Sequence, residues 1–214
     1  MTSDQKWNRH YERPKARLSY PDENLVRILS KALSETENKQ NLSAVDIGCG
    51  SGRHLSLLSD FGIEKIIGLD YSMPSLQISK KHPHSLLLNC DSEKLPFGDM
   101  KIDLALCWGS LHYSDKISFG MKMSEIFRIL KKDGFLMGTL RSNRDTYMRI
   151  GKEVSDNVWV TDLDDIKGSV VSFYNERELC DALNRFSSFE YGIMERTPLG
   201  SKKIISHWYF LAKK

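Results

Sequence analysis

Cysteine is scarce in this 214-residue chain, with only Cys49, Cys90, Cys107 and Cys180. No two of them form a C-x-x-C pair, and so few in so long a chain exclude a disulfide-built scaffold. Reduced thiols and a cytoplasmic location are the expectation. Long apolar runs are missing as well. Stretches such as Leu104–Trp108 fall far short of a membrane span, and the polar opening Met1–Arg13 does not read as a signal peptide. Nor does one sign of charge dominate: 31 Lys+Arg against 28 Asp+Glu leave +3. So small an excess gives no argument for nucleic acid or an anionic membrane as partner. There is no internal repeat, no low-complexity segment, and no His/Cys cluster of the kind that holds zinc, so no metal is expected. What is present is ordinary globular composition, 40% hydrophobic and 28% charged, enough apolar side chain for the core of a single domain with modest elaborations.

Periodicity organises the chain. Met1–Tyr20 mixes bases with aromatics and reads as a solvated helix anchored by Trp7 and Tyr11. Pro21-Asp22-Glu23 is a helix start, and Leu25, Ile28, Leu29 and Leu33 follow at helical spacing. Glu35–Asn41 reads as a loop. From Ser43 short apolar runs alternate with helical stripes. Strands are predicted at Ala44–Ile47, Lys65–Leu69, Ser85–Asn89, Ile102–Cys107 and Phe135–Leu140, the last after a turn at Lys132-Asp133-Gly134. Helices are predicted at His54–Phe61 with Gly62 as stop, from Ser72 to about Lys81 before His82-Pro83, and along Met123, Ile126, Phe127 and Leu130. This alternation predicts an α/β, doubly wound, mostly parallel sheet with helices on both faces. A helix at Glu176–Phe186 and a hairpin of Phe189–Met194 with Ile204–Ala212 add an antiparallel edge. Residues 141–175 show no clear pattern; a segment of that length is a candidate cap over a site. The expected domain plan is therefore one unit: cover 1–40, core 44–140, cap 141–175, and closing helix and hairpin 176–214.

The most informative stretch is Val45-Asp46-Ile47-Gly48-Cys49-Gly50-Ser51-Gly52. A strand runs into glycines and straight into a helix, so the backbone can approach a ligand and the helix start offers free N–H groups. The dinucleotide fingerprint G-x-G-x-x-G needs a small last residue, and Arg53 stands there. No Gly-Lys-Ser/Thr follows, so this is no triphosphate cradle. G-x-G-x-G suits a ligand with an adenosine but no pyrophosphate. Asp70 ends the second strand, where a carboxylate accepts from both ribose hydroxyls. Asp91 and Ser92 follow the third, where an acid accepts from an adenine amine and Leu95-Pro96-Phe97 can flank the ring.

Taken together, Val45–Gly52, Ile67–Ser72, Asn89–Phe97, Ile102–His112 and Ile129–Leu140 resemble the Rossmann-like, class I S-adenosylmethionine-dependent methyltransferases, in particular their small-molecule, methyltransferase type 11-like group. The resemblance implies a seven-stranded sheet of order 3-2-1-4-5-7-6 with its last strand antiparallel. It implies S-adenosyl-L-methionine as cofactor and S-adenosyl-L-homocysteine as product. It also implies roles: Gly48, Cys49 and Gly50, preceded by Asp46, under the methionine part; Asp70 on the ribose; Tyr71 and Met73 near the adenine; Asp91 and Ser92 on its amine. Cys107 and Trp108 would lie beside the sulfonium, where an aromatic face attracts a soft cation, although Trp108 also reads as a plug at the core edge. With the N-terminal helix over the cofactor, Tyr11 would meet the methionine moiety and Arg17 or Arg53 its carboxylate.

Methyl transfer needs alignment and exclusion of water more than acid–base help, and a base only when the acceptor must lose a proton. His112, just after the fourth strand, is the candidate catalytic base, with packing as its alternative; Tyr113 is a second candidate. Arg141 and Arg144, with Asn143 between, follow the fifth strand and would suit an anionic group on a substrate. The acidic stretch Asp156, Asp162, Asp164 and Asp165 reads as solvated surface or as an attractor of amines. Adenine or glutamine N-methylation is discounted because Cys107-Trp108-Gly109-Ser110 replaces the tetrapeptide Asn-Pro-Pro-Tyr, and the Pro-Cys of cytosine C5 enzymes is absent there too. The expectation is methyl transfer to O or N of a small molecule, with no nucleic acid or membrane partner and a monomer or homodimer. The alternatives are an RNA or protein methyltransferase using the basic N-terminal segment and Lys202-Lys203, or an inactive partner protein that keeps the cofactor pocket.

Overall fold

The computed structural model describes residues 3–82 and 85–214; Met1, Thr2, Pro83 and His84, and with them the expected helix stop at Pro83, lie outside the described residues. An opening helix α1 (Ser3–Glu12) and a second, α2 (Glu23–Ala32), precede β1 (Ser43–Ile47). The chain then alternates through α3 (Arg53–Asp60), β2 (Lys65–Asp70), α4 (Met73–Ser79), β3 (Ser85–Asn89), β4 (Ile102–Cys107), α5 (Lys116–Ile129) and β5 (Leu130–Arg141). Three short strands follow, β6 (Gly151–Ser155), β7 (Val158–Thr161) and β8 (Val170–Ser172), before α6 (Glu176–Leu183), β9 (Ser188–Arg196) and β10 (Ile205–Lys213).

The main sheet has seven strands in the order β3-β2-β1-β4-β5-β10-β9. The first five are mutually parallel, and β10 runs antiparallel to both β5 and β9. With β9 and β10 as sixth and seventh strands, this is the 3-2-1-4-5-7-6 order. The expected turn at Lys132-Asp133-Gly134 is absorbed into β5 as an irregularity: Asp133 takes φ +64° and the register against β4 shifts between Ile102 and Leu104.

Alternation along the central strands sorts side chains to two faces. Val45, Ile47, Ala105 and Cys107 face one way, into a core with Met123, Ile126 and Ile129 of α5 and Leu179 and Leu183 of α6. Ala44, Leu104, Leu106 and Trp108 face the other way, against Leu25 and Leu29 of α2 and Leu55 and Leu58 of α3. Truncating one of these fully buried leucines to alanine costs about 2–5 kcal/mol. Local signals start the helices. Asp22 accepts from Asn24 N–H, Ser72 from Ser75 N–H, Asp115 from Ile117 and Ser118 N–H, and Asn175 forms a reciprocal capping box with Glu178. Asp22 is the cap of α2, so Pro21 stands just outside its first turn.

The unassigned stretch 141–175 makes its own antiparallel sheet, β6-β7-β8. Met148, Ile166, Val171 and Phe173 bury a small core there, to which Trp7 of α1 and Tyr113 add their rings. This cap is joined to the segment after β4: Ser172 N–H donates to the His112 carbonyl at 2.9 Å, and Ser172 Oγ to the Ser114 carbonyl at 2.6 Å. It therefore lies over the carboxyl ends of β1, β2 and β4, the place where parallel sheets bind ligands.

Candidate functional site

The turn after β1 is held open by three glycines in left-handed conformation, Gly48, Gly50 and Gly52 (φ +78°, +55° and +83°). Their backbone is pinned from below: Gly48 and Cys49 N–H both donate to the Leu69 carbonyl, at 2.7 and 2.9 Å. Side chains are excluded from above. A Cβ on Gly48 would lie 2.5 Å from Ser110 Cβ, and one on Gly50 would run into the Tyr11 hydroxyl. Asp70 closes the loop, accepting from Gly50 N–H at 2.9 Å and Ser72 N–H at 2.8 Å through different oxygens.

Above this loop lies a cavity of about 510 Å³. Of the residues singled out from sequence, Tyr11, Gly48, Asp70, Tyr71, Asp91, Ser92 and Tyr113 border it. Asp70 is 6% exposed; burial raises its pKa, and the two backbone N–H donors oppose that rise. The Ser75 hydroxyl also acts on this carboxylate, and of its roughly four lone-pair sites at least one is left for a ligand hydroxyl. Asp46, 1% exposed, leaves both carboxylate oxygens without a hydrogen-bond partner; His54 Nδ1 stands 3.6 Å away. Buried carboxylates without partners call for a cation or donor from elsewhere. A glycine-lined floor and an acceptor for vicinal hydroxyls fit the adenosyl group of S-adenosylmethionine; Asp46 stands behind that floor and does not itself border the cavity.

Other expected site residues lie elsewhere. Cys49 is buried against α3 and α4, and Met73 opens α4 on the surface, 49% exposed. Cys107 is sealed in the α5 core, where burial pushes its thiol up. Trp108 points to the opposite face of the sheet, its ring 6.4 Å from that of Tyr209. Strand alternation is the reason: consecutive residues cannot both turn toward one pocket. Arg141 pairs with Asp145 at 2.5 Å, both buried, and Arg144 pairs with Glu195 at 3.0 Å. Neither arginine borders the cavity. Arg17 donates to the Tyr11 and Glu12 carbonyls, and Arg53 to that of Tyr20. His112 is fully buried beside His207, with ring centroids 5.4 Å apart, and is likewise not among the cavity residues. Burial, then the neighbouring Arg141 charge, holds it well below the ordinary histidine range.

The roof comes from residues the sequence does not mark as a site. Lys6 and Trp7 of α1, Leu111, and Ser169 and Val170 of the cap close the cavity from above. The roof is clasped across the chain. Lys6 Nζ donates to the Gly168 carbonyl, and Arg13 and Lys15 both pair with Asp165. Tyr11 sits beneath, its hydroxyl pushed far up by burial and by the neighbouring Asp70. At the nucleoside end Lys122 of α5 borders the cavity; burial lowers its pKa, while Asp91, Glu93 and Asp115 oppose that.

Residues 45–138 match the family model described as a methyltransferase domain. An uncharacterized protein of Methanocaldococcus jannaschii is 28% identical over 121 residues, 56% of this chain and 45% of that protein. The malonyl-[acyl-carrier protein] O-methyltransferase of Buchnera aphidicola is 28% identical over 179 residues, 80% of this chain and 69% of its own. The chain spans about half the length of the first curated relatives it matches. Among solved structures, the 1,6-didemethyltoxoflavin-N1-methyltransferase of Burkholderia thailandensis, with its substrate and S-adenosylhomocysteine bound, superposes with a TM-score of 0.64 at 17% identity, covering 90% of this chain and 77% of that one. Residues 45–138 are thus a methyltransferase domain, and the strand order and glycine turn around it are those of the class I, Rossmann-like S-adenosylmethionine-dependent methyltransferase fold.

Proposed function

We propose that the protein transfers a methyl group from S-adenosylmethionine to an O or N atom of a small-molecule acceptor. The observation that carries this reading is the cavity over the glycine turn, with Asp70 on its floor and a roof of α1 and the cap sheet. In this reading Asp70 accepts the ribose hydroxyls, Asp91 and Ser92 face the adenine amine, Tyr71 flanks the ring, and Asp46 balances positive charge near Gly48. The cofactor supplies a methyl group already activated by positive sulfur. Tyr11, Trp7 and the cap exclude water and hold the acceptor in line, and such positioning is the main protein contribution to a displacement at carbon.

His112 has a positioning role in this account. Its carbonyl bolts β8 to the segment after β4, and its ring is packed away from the cavity. Tyr113 takes the place beside the acceptor. The Buchnera relative acts on a carrier-bound malonyl group and the Burkholderia neighbour on 1,6-didemethyltoxoflavin; the first supports methyl transfer to oxygen and the second a small free acceptor. Incubation with cofactor labelled on its methyl group tests the reading: label should move to a metabolite fraction and not to a bulk RNA fraction. Label appearing only in RNA would replace the small-molecule acceptor with a polynucleotide.

A further inference from the structure

Between α1 and the cap the cavity has an aromatic end, with Lys6 beside it. Trp7 meets Tyr113 edge to face, 4.7 Å between centroids at 74°, and Leu111 and Val170 complete the apolar wall. One polar group there has no partner: Ser169 borders the cavity, is 4% exposed, and its hydroxyl makes no hydrogen bond. An orphaned buried hydroxyl is costly unless a ligand completes it.

The charged side chains around this end are engaged elsewhere. Lys6 is held by the Gly168 carbonyl, Arg13 and Lys15 by Asp165, Arg141 by Asp145 and Arg144 by Glu195. The carboxylates that border the cavity, Asp70, Asp91, Glu93 and Asp115, come from β2, the turn after β3 and the cap of α5. The end under Trp7 therefore offers ring faces, one hydroxyl without a partner and one cation, Lys6, whose charge is met by a carbonyl and not by a carboxylate.

We infer that the acceptor is a planar aromatic molecule bearing a hydroxyl or ring-nitrogen group, packed against Trp7 and Tyr113 and hydrogen-bonded to Ser169. Aromatic walls favour a ring over a saturated body of the same size through edge and face electrostatics. A serine hydroxyl serves either a donor or an acceptor on the ligand. The inference rests on the methyl-transfer reading and narrows its substrate class.

Calorimetry on the full chain separates the two. S-adenosylhomocysteine is titrated first, and the saturated protein is then titrated with 1-naphthol or decahydro-1-naphthol. Naphthol should bind once per chain, about tenfold more tightly than the saturated alcohol. Ser169→Ala and Trp7→Leu should each weaken naphthol by about fivefold or more, and Trp7→Phe should recover most of the loss. Thermal melting of each variant identifies any that fail to fold, and Ser169→Ala, which removes one oxygen, carries the test if Trp7→Leu unfolds. If S-adenosylhomocysteine binds but naphthol does not, or the saturated alcohol binds equally well, the aromatic acceptor is wrong while the methyltransferase reading stands. If S-adenosylhomocysteine gives no heat, both fall.

Discussion

Asp70 carries two duties at once. It ties the glycine loop to β2 through Gly50 and Ser72 N–H, and it presents its remaining lone pairs to the cavity. Asp70→Ala should therefore weaken S-adenosylhomocysteine by about 1.5–3 kcal/mol, the worth of charge-assisted hydrogen bonds, read by calorimetry. His112 makes the opposite kind of prediction. Because it is fully buried and held neutral by burial and by Arg141, His112→Ala should cost about 1–3 kcal/mol of stability in denaturant unfolding. It should leave the pH profile of methyl transfer unchanged in shape. A lost ionisation in that profile would restore His112 as a base. The position of His112 in the chain points to catalysis; only the packing of β8 and His207 around it shows why its ring has no route to the cavity.

At the scale of elements, α1 and the cap act as one roof joined by side chains 150 or more residues apart in sequence. The Arg13–Asp165 and Lys15–Asp165 pairs are partly exposed, with Asp165 at 35%, so their contribution is screened and modest, about 0.5–1 kcal/mol. Asp165→Asn should speed release of S-adenosylhomocysteine by about two- to fivefold in stopped-flow measurements, with little change in melting temperature. An unchanged release rate would mean that α1 is not the gate. The acidic stretch read from sequence as surface or amine attractor thus contains the partner of the N-terminal bases. The cap strands left one trace: Asp156-Asn157, between runs of alternating residues, is a hairpin signal, and Asn157 adopts φ +55° at that turn.

Across the whole molecule, the legible part was the part built from local sequence. Glycines after β1, acids after β2 and β3, and strand–helix alternation are each determined within a few residues, so sheet order and the floor of the cavity could be read directly. The roof depends on contacts between residues 6–15 and 165–170, which no local pattern encodes. Trp108 reads from sequence either as a neighbour of the sulfonium or as a plug at the core edge, and it packs in the core on the other face of the sheet, continuing the two-residue alternation of β4. Global electrostatics adds a prediction. His112 and His207 are both depressed well below 6.5 by burial, next to Arg141. The folded state therefore binds fewer protons than the unfolded one as pH falls below 6.5, and stability present above that pH is lost below it. Denaturant unfolding should show ΔG falling between pH 7 and pH 5, at about 1.4 kcal/mol per unit of depression, and His207→Phe should flatten that slope. A slope equally steep in His207→Phe would assign the acid sensitivity to the carboxylates.

The central claim is that the turn at residues 48–52, with Asp70 and Asp91, holds an adenosyl group. The most direct test is a crystal structure of the full chain with S-adenosylhomocysteine. The account predicts both ribose hydroxyls on the Asp70 carboxylate, the adenine amine beside Asp91, and the thioether over Gly48 beneath Tyr11. Adenosine density outside this cavity, or Asp70 still bonded only to Gly50 and Ser72 with the ribose turned away, would contradict it.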